Sequence, residues 1–122
     1  MDAAALVAYL DGEPGREVVR AEIAGAAASS VNLAEVLGRT ANRGGDPQPV
    51  SDILGALGLV IQPFTDLDAL EAARMAPLTK SLGLSLADRA CLALAARLGA
   101  TVLTADRQIA RANLGVPVEL IR

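Results

Sequence analysis

The chain has no histidine and no tryptophan, and only one cysteine, one tyrosine and one phenylalanine among its 122 residues. Without histidine there is no imidazole to act as a general base or to ligate a soft metal. A lone Cys91 can form no intrachain disulfide, which fits a reducing cytoplasm as the compartment. With aromatics at 2%, Tyr9 and Phe64 are the only rings, so a base-stacking surface is not expected. No apolar run approaches the length of a membrane span, and no basic-plus-apolar leader opens the chain. Gly12-Glu13-Pro14-Gly15-Arg16 lacks the lysine and hydroxyl of a phosphate-binding loop. Basic charge is not in excess either. Eleven Lys and Arg against 14 Asp and Glu leave a net charge of −3, a mild argument against a nucleic-acid partner until the acids are placed.

What is abundant is aliphatic side chain. Hydrophobic residues make up 52% of the chain, enough for one domain spanning residues 1–122 with a core of Leu, Val, Ile and Ala. Helices are predicted over Ala3–Leu10 and Arg16–Ala24, separated by the turn cluster Asp11–Gly15. Ser29 and Ser30 offer an N-cap for a helix over Val31–Arg43, after a weak strand signal at Gly25–Ala28. A helix over Val50–Leu57 leads into a strand at Leu59–Gln62, and Asp66–Met75 is helical with Pro77 expected to disrupt its end. The clearest helix is Ser85–Leu98, stopped by Gly99. Strands at Thr101–Thr104 and Val116–Ile121 flank a helical turn at Arg107–Ala112. Strands alternating with helices predict an α/β fold with a parallel sheet covered on both faces.

Four acids stand where these elements begin or end: Asp2, Glu35, Asp88 and Asp106. Ligands of parallel sheets bind beyond the carboxyl ends of the strands, so these four can converge on one pocket. Clustered carboxylates repel and stay ionised only around positive charge, and oxygen-only ligands suit Mg²⁺ or Mn²⁺. Each acid also has a plainer role open to it. Asp2 can cap Ala3–Leu10, Asp88 can complete a capping box with Ser85, and Asp106 can cap Arg107–Ala112. Glu35 can pair with Arg39 four residues on. Thr104 is placed to hydrogen-bond the Asp106 carboxylate. Arg39 and Arg43 extend the Glu35 face, and Arg107 and Arg111 form a second basic pair, either of which could contact phosphodiesters or simply face solvent. An acid at Asp2 calls for a strand leading into it, and only Met1 precedes it, so either the native chain starts further upstream or the domain lacks most of its first strand.

These segments, Asp2-Ala3-Ala4-Ala5-Leu6, Ser30–Val36, Leu84–Ala90 and Leu103–Arg107, resemble in order and spacing the PIN-domain proteins, in particular VapC-type toxins of toxin–antitoxin pairs. The resemblance implies a three-layer α/β/α domain with a central parallel sheet, its first strand here truncated. It implies a Mg²⁺- or Mn²⁺-dependent endoribonuclease whose acidic cluster is Asp2, Glu35, Asp88 and Asp106, acting on an RNA substrate. Homodimerisation and inhibition by a cognate antitoxin protein follow from the same resemblance. The chain departs from the family where Ser or Thr usually follows the first acid by two residues, because that position is Ala4. A catalytically weak or silent PIN-like module that acts only by binding a partner is the competing expectation. A phospho-receiver domain is excluded, since its late-strand lysine is absent and Lys80 lies elsewhere. The apolar composition also predicts exposed aliphatic surface on the helices Ala3–Leu10, Arg16–Ala24 and Val50–Leu57.

Overall fold

The computed structural model describes residues 1–122. Seven helices alternate with four strands of three residues each: α1 (Ala3–Leu10), α2 (Arg16–Glu22), β1 (Ala27–Ser29), α3 (Ser30–Asn42), α4 (Gln48–Ala56), β2 (Val60–Gln62), α5 (Asp66–Thr79), α6 (Leu86–Leu98), β3 (Val102–Thr104), α7 (Arg107–Ala110) and β4 (Val118–Leu120). A 3₁₀ turn, Lys80–Leu82, joins α5 to the approach to α6. Side chains that satisfy free amides set most helix starts. Ser29 accepts from the Val31 amide, and both Thr65 and Ser85 form reciprocal capping boxes with the acid three residues on.

Both strand pairs are parallel, as predicted. β1 pairs with β2 in the register Ala27 to Val60, and β3 pairs with β4 in the register Val102 to Val118. They do not form one central sheet. They are two separate two-stranded sheets, and the first two residues lie between them. The Met1 ammonium donates to the Ala27 carbonyl at 2.6 Å, and the Asp2 amide donates to the Leu103 carbonyl at 3.2 Å. Residues 1 and 2 thus touch β1 on one side and β3 on the other. Helix α6 lies against both β1 and β3, while α1 packs on β3 and α3, giving helices on both sides of the strands.

Two apolar clusters fill the interior. One gathers Leu6, Val19, Ile23, Val36, Leu54 and Ile121 around α1, and the other gathers Met75, Leu92, Val102 and Ile109 around α6. Helix α5 runs past the predicted break and keeps Pro77 inside it. Proline there removes one amide donor, but the tail of α5 is held by other means. Thr79 donates its hydroxyl to the Met75 carbonyl at 2.9 Å, and α5 packs along α6. Two arginines of α6 pin that packing: Arg89 donates to the Ala72 carbonyl, and Arg97 grips the buried Asp68 carboxylate with bonds of 2.8 and 3.1 Å. Tertiary contacts override the local breaker.

The expected location of exposed aliphatic surface is corrected in part. Helix α1 buries Ala3, Ala5, Leu6 and Ala8, and α2 buries Val19, so both are core elements. Ile53 of α4 is the only large hydrophobic side chain strongly exposed among the three helices. The large exposed side chains instead include Leu67, Leu70 and Leu78, which share one face of α5, with Leu86 nearby in sequence.

The chain closes on itself at Gly15, whose φ is 92° and where a Cβ would lie 2.6 Å from the Ile121 carbonyl oxygen. Gly25 has a similar φ of 79° but open space around it. Gly25→Ala should therefore cost about 1 kcal/mol from backbone strain alone. Gly15→Ala should cost more than about 2 kcal/mol, strain plus displacement of the last strand. Urea unfolding of the two variants checks this, and equal midpoints would show that the Ile121 contact does not matter.

Candidate functional site

Asp2 is the buried centre of the site, with only 2% of its surface exposed. One carboxylate oxygen caps α1 by accepting from the Ala5 amide at 2.9 Å. The other accepts a short 2.5 Å bond from the Thr104 hydroxyl at the end of β3. Burial pushes its pKa up to about 6, against the pull of those two donors and the Met1 ammonium, and the Asp88 charge adds to the rise. The plain capping role is realised in this residue.

Asp88 enters from the first turn of α6. Its Oδ2 accepts from the Ser85 amide at 2.8 Å, completing the predicted capping box, and it is half-buried. Glu35 projects from α3 and makes no hydrogen bond of its own. Its pKa is raised by partial burial of the carboxyl and by the nearby Asp88 charge. Asp88 is therefore felt by both Asp2 and Glu35, which places three of the four acids in one electrostatic neighbourhood.

Asp106 joins more indirectly. Its Oδ1 accepts from the Gln108 amide at 2.8 Å, the predicted cap of α7. The expected bond from Thr104 to the Asp106 carboxylate is not made. Thr104 instead accepts from the Asp106 backbone amide at 2.8 Å and gives its proton to Asp2. Being fully buried, the hydroxyl has one geometry that satisfies both neighbours, and the Asp2 carboxylate takes it. The expected Glu35–Arg39 ion pair is absent as well. Arg39 reaches Asp11 at 2.7 Å, which holds it away from the site. Arg43 and Arg107 are exposed and make no salt bridge.

The basic side chains pair with Glu13, Asp11, Glu17, Asp68 and Glu71, and none pairs with Asp2, Glu35, Asp88 or Asp106. No lysine or arginine side chain thus neutralises the four acids, and the one cation acting on them is the Met1 ammonium beside Asp2. As the side chains stand, no three of them are close enough together to hold a metal ion at once. The donor set nonetheless suits a hard divalent ion, being carboxylate oxygen throughout.

One residue of the neighbourhood escaped the sequence reading. Asn32, one turn before Glu35 on α3, is 1% exposed and donates its amide to the Ala87 carbonyl at 3.0 Å, next to Asp88. Its Oδ1 has no hydrogen-bond partner. Unpaired buried acceptors are rare, and this one lies at the junction of α3 and α6 that also carries Glu35 and Asp88. The usable signal was its i, i+3 spacing from Glu35, which puts both on one helix face. Cys91 plays no chemical part, because burial pushes its thiol up to about 12.

A family model described as the PIN domain matches residues 1–114. No curated protein matches the chain.

The burial of Asp2 dictates a pH dependence for the ion-free chain. Its folded pKa of about 6 lies above the ordinary carboxyl value of 3.8. Between those values the folded chain keeps a proton that the unfolded chain has lost, so stability falls as pH rises from 4 to 6 and then levels. The loss is on the order of 3 kcal/mol, and Glu35 adds to it with the same sign. Asp68, whose pKa Arg97 holds down, works in a different window and weakens the fold only as pH drops below about 4. Urea melts from pH 4 to 8 should show this slope in the parent chain and a flatter one in Asp2→Asn. Thr104→Val should cost about 2 kcal/mol by leaving a buried carboxylate oxygen unpaired. An Asp2→Asn profile parallel to the parent would remove Asp2 as the source.

Proposed function

The chain belongs to the PIN domain family, whose members are generally metal-dependent nucleases, and from that premise we propose a Mg²⁺- or Mn²⁺-dependent endoribonuclease, the toxin of a toxin–antitoxin pair. The observation that carries this reading is an acidic neighbourhood that no lysine or arginine side chain pairs with. Asp2 is buried, Asp88 acts on it and on Glu35, and the chain's basic groups pair with other acids. Asp2, Glu35, Asp88 and Asp106 would hold the ion. When bound, such an ion activates water for attack on phosphorus and neutralises charge on the departing oxygen.

The chain's own part is positioning. Thr104 fixes the Asp2 carboxylate, and the Ser85 amide fixes one oxygen of Asp88 while leaving the other open. The Gln108 amide does the same for Asp106. Arg39 is engaged with Asp11, so RNA phosphate contacts fall to Arg43 and Arg107. A single domain acting in the cytoplasm, as a homodimer under control of a cognate antitoxin, completes the reading. The leucine face of α5 is the apolar surface best suited to the dimer contact. No helix is long and apolar enough to cross a membrane.

A second reading, a silent module that binds a partner without cleaving RNA, draws on two observations. Ala4 supplies no hydroxyl near the first acid, and no three acids stand close enough together to hold an ion.

RNA cleavage should require Mg²⁺ or Mn²⁺ and stop with a chelator. Asp2→Asn, Asp88→Asn and Asp106→Asn should each lower it at least about 100-fold, since even outer-shell changes cost 10–100-fold at metal sites. Circular dichroism on the variants would confirm that the fold survives. Cleavage indifferent to chelation, or full activity in Asp88→Asn, would refute the nuclease assignment. Absence of divalent binding by calorimetry at millimolar ion, together with partner binding, would favour the silent module.

A further inference from the structure

Asn32 carries the one buried side-chain polar atom that has no partner in the chain. It stands in the first turn of α3, 1% exposed, and its Nδ2 donates to the Ala87 carbonyl at 3.0 Å. That bond fixes which way round the amide sits. Turned over, Oδ1 would face the Ala87 carbonyl, acceptor against acceptor, and the bond would be lost. The orphaned oxygen is therefore built in. A buried acceptor without a donor is costly, and an apolar side chain of similar size would avoid that cost.

The place of this oxygen gives it a use. Ala87 immediately precedes Asp88 in the first turn of α6, Glu35 lies one turn after Asn32 on α3, and the two helices pack together. Asp88 commits Oδ2 to the Ser85 amide, and Glu35 has its pKa raised by partial burial and by the Asp88 charge. No basic side chain of either helix serves this junction. Arg39 is held by Asp11, Arg89 by the Ala72 carbonyl and Arg97 by Asp68. An occupant must come from outside the chain, be small enough for a buried position, and bring positive charge toward two carboxylates. A water would satisfy Oδ1 without neutralising Glu35 or Asp88. A divalent cation meets every demand, since amide carbonyl oxygens ligate hard cations as carboxylates do. The amide also adds an oxygen without the third negative charge that an aspartate would bring.

We propose that Asn32 Oδ1 is a ligand of the divalent ion, acting with Glu35 and Asp88 at the seam of α3 and α6. It supplies a third oxygen where no three of the acids stand close enough to hold an ion. The inference rests on the reading of the acids as a Mg²⁺ or Mn²⁺ site and adds to it a neutral donor.

The test uses the whole chain and Mg²⁺ alone. In ¹⁵N–¹H spectra the Asn32 side-chain amide signals, assigned through bonds from the Asn32 backbone, should shift saturably with Mg²⁺ and return with a chelator. Those of the exposed Asn42 and Asn113 should stay in place. By calorimetry Asn32→Leu should bind Mg²⁺ at least about tenfold more weakly, with its circular dichroism unchanged. Asn32→Ala takes its place if leucine prevents folding, and the amide signals need no variant. A parent chain that binds Mg²⁺ with unmoved Asn32 signals would overturn the proposal and leave an ion site made by the acids alone. So would a folded variant with the parent's affinity. No Mg²⁺ binding by the parent at millimolar ion would overturn the ion site itself, and the proposal with it.

Discussion

Two nitrogen donors at the start of the chain hold together two sheets that share no strand pairing. The Met1 ammonium reaches β1 and the Asp2 amide reaches β3, so residues 1 and 2 bridge the two sheets. Helix α6 reinforces the arrangement from one side by packing on both strands. Everything at the carboxyl ends of β1 and β3 depends on this bridge, because it delivers Asp2 to the place where Thr104 can hold it. A buried carboxylate with no basic side chain beside it is costly, and the capping of α1, the threonine bond and the Met1 ammonium offset only part of that cost. The fold keeps an acid where packing alone would favour an apolar residue.

The site uses helix caps for two purposes at once. Asp2, Asp88 and Asp106 each give one oxygen to a backbone amide at a helix start, which fixes the carboxylate plane and leaves chemistry to the remaining oxygen where it is free. Structural and chemical roles are therefore not rivals here. Glu35 differs, since it has no such anchor and sits mid-helix on α3, so its carboxyl is the freest of the four to adjust to a bound ion.

Most of the helices were legible from the chain because their signals are local. Ser85, Asp88 and Gly99 mark α6 at both ends, and the structure keeps all three marks. The capping roles of Asp2, Asp88 and Asp106 were legible for the same reason, each standing at a helix start. What escaped was set by contacts distant in sequence. Pro77 reads as a breaker, yet the packing of α5 on α6 and the grip of Arg97 on Asp68 carry the helix through it. Arg39 reads as a partner for Glu35 at i+4, but Asp11 at the C-terminal end of α1 takes it. Thr104 was seen as a neighbour of Asp106, while its actual partner lies 102 residues away. The burial of α1 was missed because a short alanine-rich helix carries little amphipathic pattern, so nothing in it distinguishes core from surface.

The turn at Gly15 has a reach that its position does not suggest. The space beside it is filled by the Ile121 carbonyl, and the Ile121 amide in turn bonds the Thr104 carbonyl at 3.0 Å. Thr104 holds Asp2. A hairline path of direct contacts thus runs from a surface turn, through the last strand, to the buried acid. The acids' geometry is in this sense a property of the chain's closure rather than of the pocket alone. Genetic screens for loss of the site's chemistry would return lesions in the turn and the terminal strand alongside those in the carboxylates, and a map drawn from such lesions would outline a clasp rather than a cleft.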